Sequence, residues 1–167
     1  MIPPKIVQYL MENHVPFKRH WHTRAVSGQE LAATLHVTGY RVAKSVLVEA
    51  DGTTYIAVLP AAEMLDEKLF ARAVGAQDVR LLPEGRFVRL FPDCEVGAEP
   101  PFGGLYGVGV VLDERLAGDQ MVVFRAGSHE ETLEMRGDDF YALESPITAP
   151  IGRPFSEGWE GREQRVM

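Results

Sequence analysis

The chain has 167 residues, of which 46% are hydrophobic and 25% charged, and its net charge is −7. These values are typical of a single soluble globular domain, and the acidic balance argues against a broad nucleic-acid-binding surface. No apolar run is long enough to span a bilayer, the N-terminus lacks a signal-peptide pattern, and one cysteine, Cys94, excludes an internal disulfide. We therefore expect a cytoplasmic protein without membrane contact.

The charge is unevenly distributed along the chain. Residues 1–44 carry a balance of +4, and the remaining residues carry −11. The basic residues of this first segment are Lys5, Lys18, Arg19, Arg24, Arg41 and Lys44. A short anionic ligand could contact this segment, although residues that cluster in sequence need not cluster in space.

The first half of the chain predicts interleaved helices and strands. Apolar residues at helical spacing follow Pro4, and Ser27 with Glu30 forms a capping box at the start of a second helix. Asp51-Gly52 is a turn signal between two apolar strands. The predicted elements are a helix at 4–13, a strand at 17–22, a helix ending near 36, and strands at about 44–48 and 54–59.

The second half continues the same pattern. Asp66 is a predicted N-cap for a helix that Gly75 ends, and Pro83 suits the first turn of another helix. The predicted elements are helices at 67–74, 83–91 and 138–142, strands at 79–82, 106–112 and 120–125, and an edge strand at 131–135. Pro and Gly residues break any periodicity in 146–167, which predicts an extended or frayed C-terminal tail.

This order of elements predicts an α/β fold. Helices alternate with strands, but hairpin-like turns join many of the strands, which favours a mixed sheet over a doubly wound parallel one. We therefore expect a single domain at 1–145, with a curled, partly barrel-like sheet flanked by helices, followed by the tail at 146–167.

The segment 97–104 is the first candidate site. It contains Gly97, Gly103 and Gly104 together with Pro100 and Pro101, a composition that disfavours helix and central strand. Proline stiffens such a loop, and glycine permits close backbone approach to a ligand. The alternative is an ordinary connection between two strands.

Two further polar segments are candidates. Lys44-Ser45 stands at a strand start, where the lysine is either a solvated strand end or a pocket residue with a packed stem. Gly127-Ser128-His129 is a glycine-containing turn. His20-x-His22 could bind a metal, but no third ligand is evident nearby, so no metal site is predicted. Cys94 is interpreted as a packed thiol, since no histidine partner can be assigned to it.

These segments together resemble a known family. The chain contains Ala43-Lys44-Ser45-Val46-Leu47-Val48, then Ala57-Val58-Leu59-Pro60-Ala61, then Gly97-x-x-x-Pro101-Phe102-Gly103, then Ala126-Gly127-Ser128-His129. This order resembles the YbaK/ProX aminoacyl-tRNA deacylases, which are free-standing relatives of the editing domain of bacterial prolyl-tRNA synthetase. The resemblance covers roughly residues 20–145.

The resemblance implies a function and a set of residues. It implies trans-editing, the hydrolysis of the ester between a wrong amino acid and the 3′ end of tRNA, without metal or other cofactor. The implied catalytic residues are Lys44 and His129, and the implied substrate-binding residues are Ser45, Gly97, Pro101, Phe102, Gly103, Gly127 and Ser128. The implied partners are the aminoacyl-tRNA 3′ end and, as a candidate, an aminoacyl-tRNA synthetase.

Several points stay open at this stage. The competing function is a non-catalytic module that uses the same pocket to bind an aminoacyl group, a nucleotide or a protein. A pocket stiffened by proline favours small amino acids such as alanine as the group removed. The sequence does not indicate the oligomeric state.

Overall fold

A large mixed β-sheet forms the centre of the protein in the computed structural model, which describes residues 1–155 apart from the side chain of Glu84. Its strands, in chain order, are β1 (Lys18–Trp21), β2 (Val42–Ala50), β3 (Thr53–Pro60), β4 (Glu63–Leu65), β5 (Val79–Leu81), β6 (Gly109–Asp113), β7 (Met121–Arg125), β8 (Glu131–Arg136), β9 (Ile147–Ala149) and β10 (Gly152–Pro154). The helices are α1 (Pro4–Glu12), α2 (Gly28–Thr34), α3 (Glu67–Val74), α4 (Glu84–Leu90), α5 (Gly103–Tyr106) and α6 (Gly137–Glu144), and a short 3₁₀ turn covers Glu114–Leu116.

The sheet has the strand order β1-β8-β7-β2-β3-β6-β9, with β5 added beside β2. The central hairpin β2–β3 is antiparallel, whereas β7 pairs with β2, and β6 with β3, in parallel. β10 pairs with β4 in a separate two-stranded ribbon. The predicted mixed sheet flanked by helices is confirmed, and the sheet is open rather than closed into a barrel.

Local sequence signals begin and end several helices as predicted. Ser27 Oγ accepts the Glu30 amide at 3.0 Å, and Asp66 Oδ1 accepts the Leu69 amide at 3.0 Å. Each bond satisfies one of the amides that the first turn of a helix leaves unpaired. The predicted turn at Asp51-Gly52 also joins β2 to β3.

The two faces of the sheet are covered differently. Alternate residues of the strands, including Ala43 and Leu47 of β2, face a large core that α1, α4 and α6 cover. The opposite face carries two smaller apolar clusters. One lies under α3 around Phe70, and the other lies under α2 around Leu31. The candidate site is built around Lys44, which lies on β2 between residues of the two small clusters.

The structure differs from the sequence prediction at several elements. The segment 97–104 is not loop throughout, because α5 begins at Gly103. The predicted edge strand, β8, lies between β1 and β7. The strands β4, β9 and β10 were not predicted, and the last two lie in the segment expected to be a tail. Residues 156–167 of that tail lie outside the described part of the chain.

Candidate active site

Lys44 lies between the two small apolar clusters. Val42 on one side of it belongs to the cluster under α2, and Val46 on the other side belongs to the cluster under α3. Because alternate strand residues share a face, Lys44 lies on the same face of β2 as these two valines. The two residues that flank Lys44 on this face of β2, Val42 and Val46, are therefore both apolar.

Burial changes the chemistry of this lysine. Loss of solvation lowers the pKa of Lys44 to about 8, and the nearby carboxylate of Glu63 opposes part of that shift. The ammonium nitrogen lies 5.3 Å from the centre of the Phe155 ring. An amine in this setting is still mostly protonated at neutral pH, but it loses its proton far more readily than an exposed lysine.

Arg125 lies on the same face of the sheet as Lys44. The parallel register of β2 and β7 ends with Ala43 opposite Phe124, so Lys44 and Arg125 are the next residues of the two strands. Arg125 is 7% exposed, and its Nη2 donates to the carbonyls of Val26 at 2.9 Å and Ser27 at 3.0 Å. Its Nη1 has no hydrogen-bond partner within residues 1–155.

Arg125 therefore links the site to the start of α2. Burial lowers the pKa of Arg125 to about 10, and the negative charges of Glu30, Glu99 and Glu95 oppose that effect. A guanidinium with this pKa keeps its charge at neutral pH. This face of the sheet consequently carries two cationic side chains, those of Lys44 and Arg125.

The Gly97 segment is held against the end of β7. Gly97 is buried with φ of 87°, and its amide donates to Glu99 Oε1 at 2.9 Å. The Gly127 amide donates to the Ala98 carbonyl at 2.7 Å. The two glycine-containing segments that the sequence singled out are thus in direct contact.

His129 fixes the same loop. Its ring Nε2 lies 2.7 Å from the carbonyl oxygen of Val96, so this nitrogen carries the proton and donates it. Its backbone amide donates to Glu95 Oε2 at 2.6 Å. The side chain is 1% exposed, and Nδ1 has no partner in the part of the chain that the structure describes. This geometry places the imidazole next to Gly97 as a support for the loop.

Other predicted site residues lie elsewhere. Ser45 follows Lys44 on the strand and therefore lies on the opposite face, that of Ala43 and Leu47. Phe102 is fully buried in the large core, where its ring packs edge-on against Tyr9. Ser128 Oγ accepts the Glu130 amide at 3.1 Å. The Ser45 side chain is therefore directed away from Lys44, and the Phe102 and Ser128 side chains make contacts within the protein.

The glycine amides of the first loop are also engaged. Besides the bond of Gly97 to Glu99, Gly103 donates to the Pro101 carbonyl at 3.0 Å, and Gly104 donates to Glu144 Oε1 at 2.8 Å. Pro101 itself is buried. Because these amides already donate within the protein, they are not available to a ligand in this arrangement.

Sequence reasoning missed the charged group next to Lys44. Glu63 of β4 and Asp113 of β6 both bind the guanidinium of Arg115, the latter at 3.0 Å from Nε. Arg125 and Phe155 were missed as well. The spatial neighbours of Lys44 come from distant parts of the chain. Strand pairing decides which residues these are, so the local sequence does not indicate them.

A protein-family model matches the part of the chain that contains these residues. The model of the aminoacyl-tRNA editing domain matches residues 22–143, which include Lys44, Gly97, Arg125 and His129. The chain belongs to the aminoacyl-tRNA editing domain family. A search of curated proteins finds no match.

Solved structures share the fold of this editing domain. The hypothetical protein APE2540 matches at 20% identity with a TM-score of 0.81, covering 89% of this chain and 99% of its own. A protein proposed to be a trans-editing enzyme for prolyl-tRNA synthetase matches at 19% identity with a TM-score of 0.76, covering 92% and 99%. A protein of Marinobacter aquaeolei VT8, proposed to act in signal transduction, matches at 21% with a TM-score of 0.69, covering 90% and 31%. At these identities the likeness establishes the fold alone.

Gly97 of the editing domain allows a test of the loop. Gly97→Ala places a Cβ at positive φ, which costs about 1–2 kcal/mol of stability. Gly52→Ala is the matched control, because Gly52 has φ of 83° at the β2–β3 turn and nothing within 4 Å of an added Cβ. We expect both variants to lose similar stability in urea unfolding. If the chain hydrolyses aminoacyl-tRNA, only Gly97→Ala should lose that activity, about 10- to 100-fold, through a displaced loop. Equal activity of the two variants would show that the loop only connects secondary-structure elements and has no part in the site.

Proposed function

We propose that this protein is a trans-editing hydrolase that removes the amino acid from mischarged aminoacyl-tRNA. The observation that carries the proposal is Lys44, a half-buried lysine with a pKa lowered to about 8, within the residues matched by the editing-domain family. A lysine whose pKa is strongly lowered by burial is a candidate for a functional site.

Lys44 has a defined part in the chemistry. Water attacks the ester carbonyl carbon, and the bond from that carbon to the ribose oxygen breaks. The ribose oxygen takes up a proton that the attacking water loses. Negative charge develops on the carbonyl oxygen during the attack, and a nearby ammonium stabilises it. Since the amides of Gly97, Gly103 and Gly104 donate within the protein, Lys44 supplies this stabilisation.

The substrate contributes to its own hydrolysis in this scheme. An aminoacyl ester is already activated, so an oriented water and a stabilised oxyanion suffice, without a metal or a covalent nucleophile. The free 2′-hydroxyl of the terminal ribose positions the water. His129 acts as a positioning residue, because its ring holds the Val96 carbonyl that precedes Gly97. Pro100 and Pro101 stiffen the segment 97–104, which favours a small amino acid as the group removed.

The charges of the N-terminal third limit the contact with tRNA. Lys5 pairs with Asp93 at 3.4 Å, Arg19 with Glu131 at 2.5 Å, and Arg24 with Glu95 at 3.5 Å. Half of the basic residues in that segment are therefore offset by acidic partners. This pairing, with the net charge of −7, supports contact with the single-stranded 3′ tip and not with the body of the tRNA.

A panel of mischarged tRNAs tests the proposal. Purified protein is incubated with each aminoacyl-tRNA, with and without a chelator, and the release of amino acid is compared with spontaneous hydrolysis. We expect accelerated release of one or a few small amino acids, unchanged by the chelator. Binding of charged tRNA without accelerated release would favour a non-catalytic binding module instead.

A short substrate tests how far the contact with tRNA extends. If about two or three phosphates are neutralised, log affinity should fall against log salt with a slope of roughly −1.4 to −2. An acceptor-stem minihelix carrying the amino acid should be hydrolysed nearly as well as full-length tRNA. A steep slope, combined with loss of activity on the minihelix, would show an extended interface with the tRNA body.

A further inference from the structure

Residues 147–155, here called the C-terminal strap, are joined to the sheet at several points. β9 pairs in parallel with β6, and β10 pairs with β4 so that Pro154 lies opposite Glu63. Between these strands, the Ile151 carbonyl accepts the Asp66 amide at 2.8 Å. The strap lies beyond residue 143, where the match to the editing-domain family ends.

A buried carboxylate holds the middle of the strap. Asp113 is fully buried, and its Oδ2 accepts the amides of Ile151 at 3.2 Å and Gly152 at 3.1 Å. The same carboxylate binds the guanidinium of Arg115. Bonds from two consecutive amides to one ionised group fix the direction in which the strap continues.

The strap ends at the candidate active site. Its last described residue, Phe155, places its ring centre 5.3 Å from the Lys44 ammonium, within the range of a cation–π contact. The ring is half-buried, so part of it is accessible to a ligand. An aromatic surface therefore lies directly beside the positive charge that the proposed mechanism uses.

We propose, resting on the proposed function, that Phe155 is a substrate-binding residue whose ring stacks on the adenine base of the 3′-terminal adenosine. The base and the ester are attached to the same ribose, so a site that holds the ester at Lys44 meets the base close by. Aromatic side chains commonly bind single-stranded nucleotides in this way, because every base offers a flat π face. The bonds to Asp113 and β4 hold the strap in place before the substrate arrives, which reduces the entropy lost on binding.

The test uses a minihelix with 2-aminopurine in place of the terminal adenine and a non-hydrolysable amide in place of the ester. The fluorescence of 2-aminopurine falls when it stacks on an aromatic ring. We expect this quenching with the wild-type protein and with Phe155→Tyr, and its loss with Phe155→Leu. In deacylation of charged tRNA, Phe155→Leu should raise KM about 5- to 100-fold, and Phe155→Tyr should restore it.

The control is Tyr141→Leu, which removes a half-exposed aromatic ring from α6, on the other side of the sheet. It should leave quenching and KM unchanged. Unchanged quenching and KM in Phe155→Leu would overturn the proposal, and so would faster hydrolysis by that variant, because the ring would then be a cover over Lys44.

Failure of the proposed function gives a different result. A wild-type protein that quenches the analogue in a Phe155-dependent way, yet hydrolyses no charged tRNA, would contradict the hydrolase and retain the base contact. A wild-type protein that hydrolyses charged tRNA without quenching the analogue would support the hydrolase and contradict the base contact. If Phe155→Leu unfolds, the absence of quenching with the folded Phe155→Tyr protein would overturn the stacking role.

Discussion

Replacing Lys44 with alanine is expected to lower the rate of deacylation about 100- to 1,000-fold while leaving the protein folded. Removing one group that stabilises a developing oxyanion typically has an effect of this size. The measurement is single-turnover hydrolysis of a mischarged tRNA that the wild-type protein accepts, with circular dichroism to confirm the fold. Lys68→Ala is the matched control, since Lys68 is an exposed lysine on α3.

The same lysine predicts a pH dependence. Burial favours the neutral amine, so the folded-state pKa of Lys44 is about 8, below its usual 10.5. If the protonated form is the active one, the enzymatic rate, corrected for spontaneous ester hydrolysis, should fall as pH rises through about 8. Near-wild-type turnover by a folded Lys44→Ala protein, or an alkaline limit only above pH 10, would contradict this role.

Asp113→Ala is expected to lower the free energy of unfolding by about 3–5 kcal/mol. The substitution leaves the amides of Ile151 and Gly152 without their acceptor and leaves Arg115 with Glu63 as its remaining carboxylate partner, and breaking a buried ion pair in this way is strongly destabilising. Urea unfolding at neutral pH measures the effect. The control is Asp119→Ala, because Asp119 pairs with Arg136 at the surface, where such pairs contribute about 0–1 kcal/mol.

The ionisation of Asp113 also gives this effect a pH window. Burial opposes its charge, but hydrogen bonds from the Arg115 side chain and amide and from the Ile151 amide outweigh burial and lower its pKa. A lowered carboxylate pKa contributes stability that is present above the unfolded value and is lost as pH falls through the folded one. The two aspartate variants should therefore converge in stability at strongly acidic pH. A loss below about 1 kcal/mol at neutral pH would contradict the anchoring role of Asp113.

Elements with a local signal could be predicted from the sequence, and elements defined by distant partners could not. The caps at Ser27 and Asp66 predicted helices that the structure contains. By contrast, α5 begins with two glycines and was missed. A Cβ on Gly103 would lie 2.2 Å from the Val108 carbonyl oxygen, so this glycine is required by tertiary packing that the sequence does not display.

The edge assignment of β8 failed for a related reason. The strand begins with a charged residue, Glu131, yet this residue is fully buried and accepts hydrogen bonds from Arg19 Nε and the Ile2 amide. Its partners come from the beginning of the chain. The sequence alone does not distinguish a buried carboxylate with distant partners from a carboxylate exposed to solvent.

The sequence predicted site residues that the structure places in different parts of the fold. The order of family motifs identified Lys44, Gly97 and His129, and the structure places the last two in one hydrogen-bonded region at the end of β7. Ser45 and Phe102 were included because both belong to these motifs. Strand alternation and core packing direct both away from Lys44, so closeness in sequence did not give closeness in space.

The chain cannot complete its sheet until a late stage of its synthesis. The β2–β3 hairpin can form as soon as residue 60 is available, but the parallel neighbours of that hairpin are β7 and β6, and β1 waits for β8. Pairings between such distant segments close long loops and form slowly. Lys44 therefore stands in an unfinished, partly solvated sheet until β7 has been synthesised. Under the proposed function, a nascent chain on the ribosome has no assembled site with which to hydrolyse the aminoacyl-tRNAs around it.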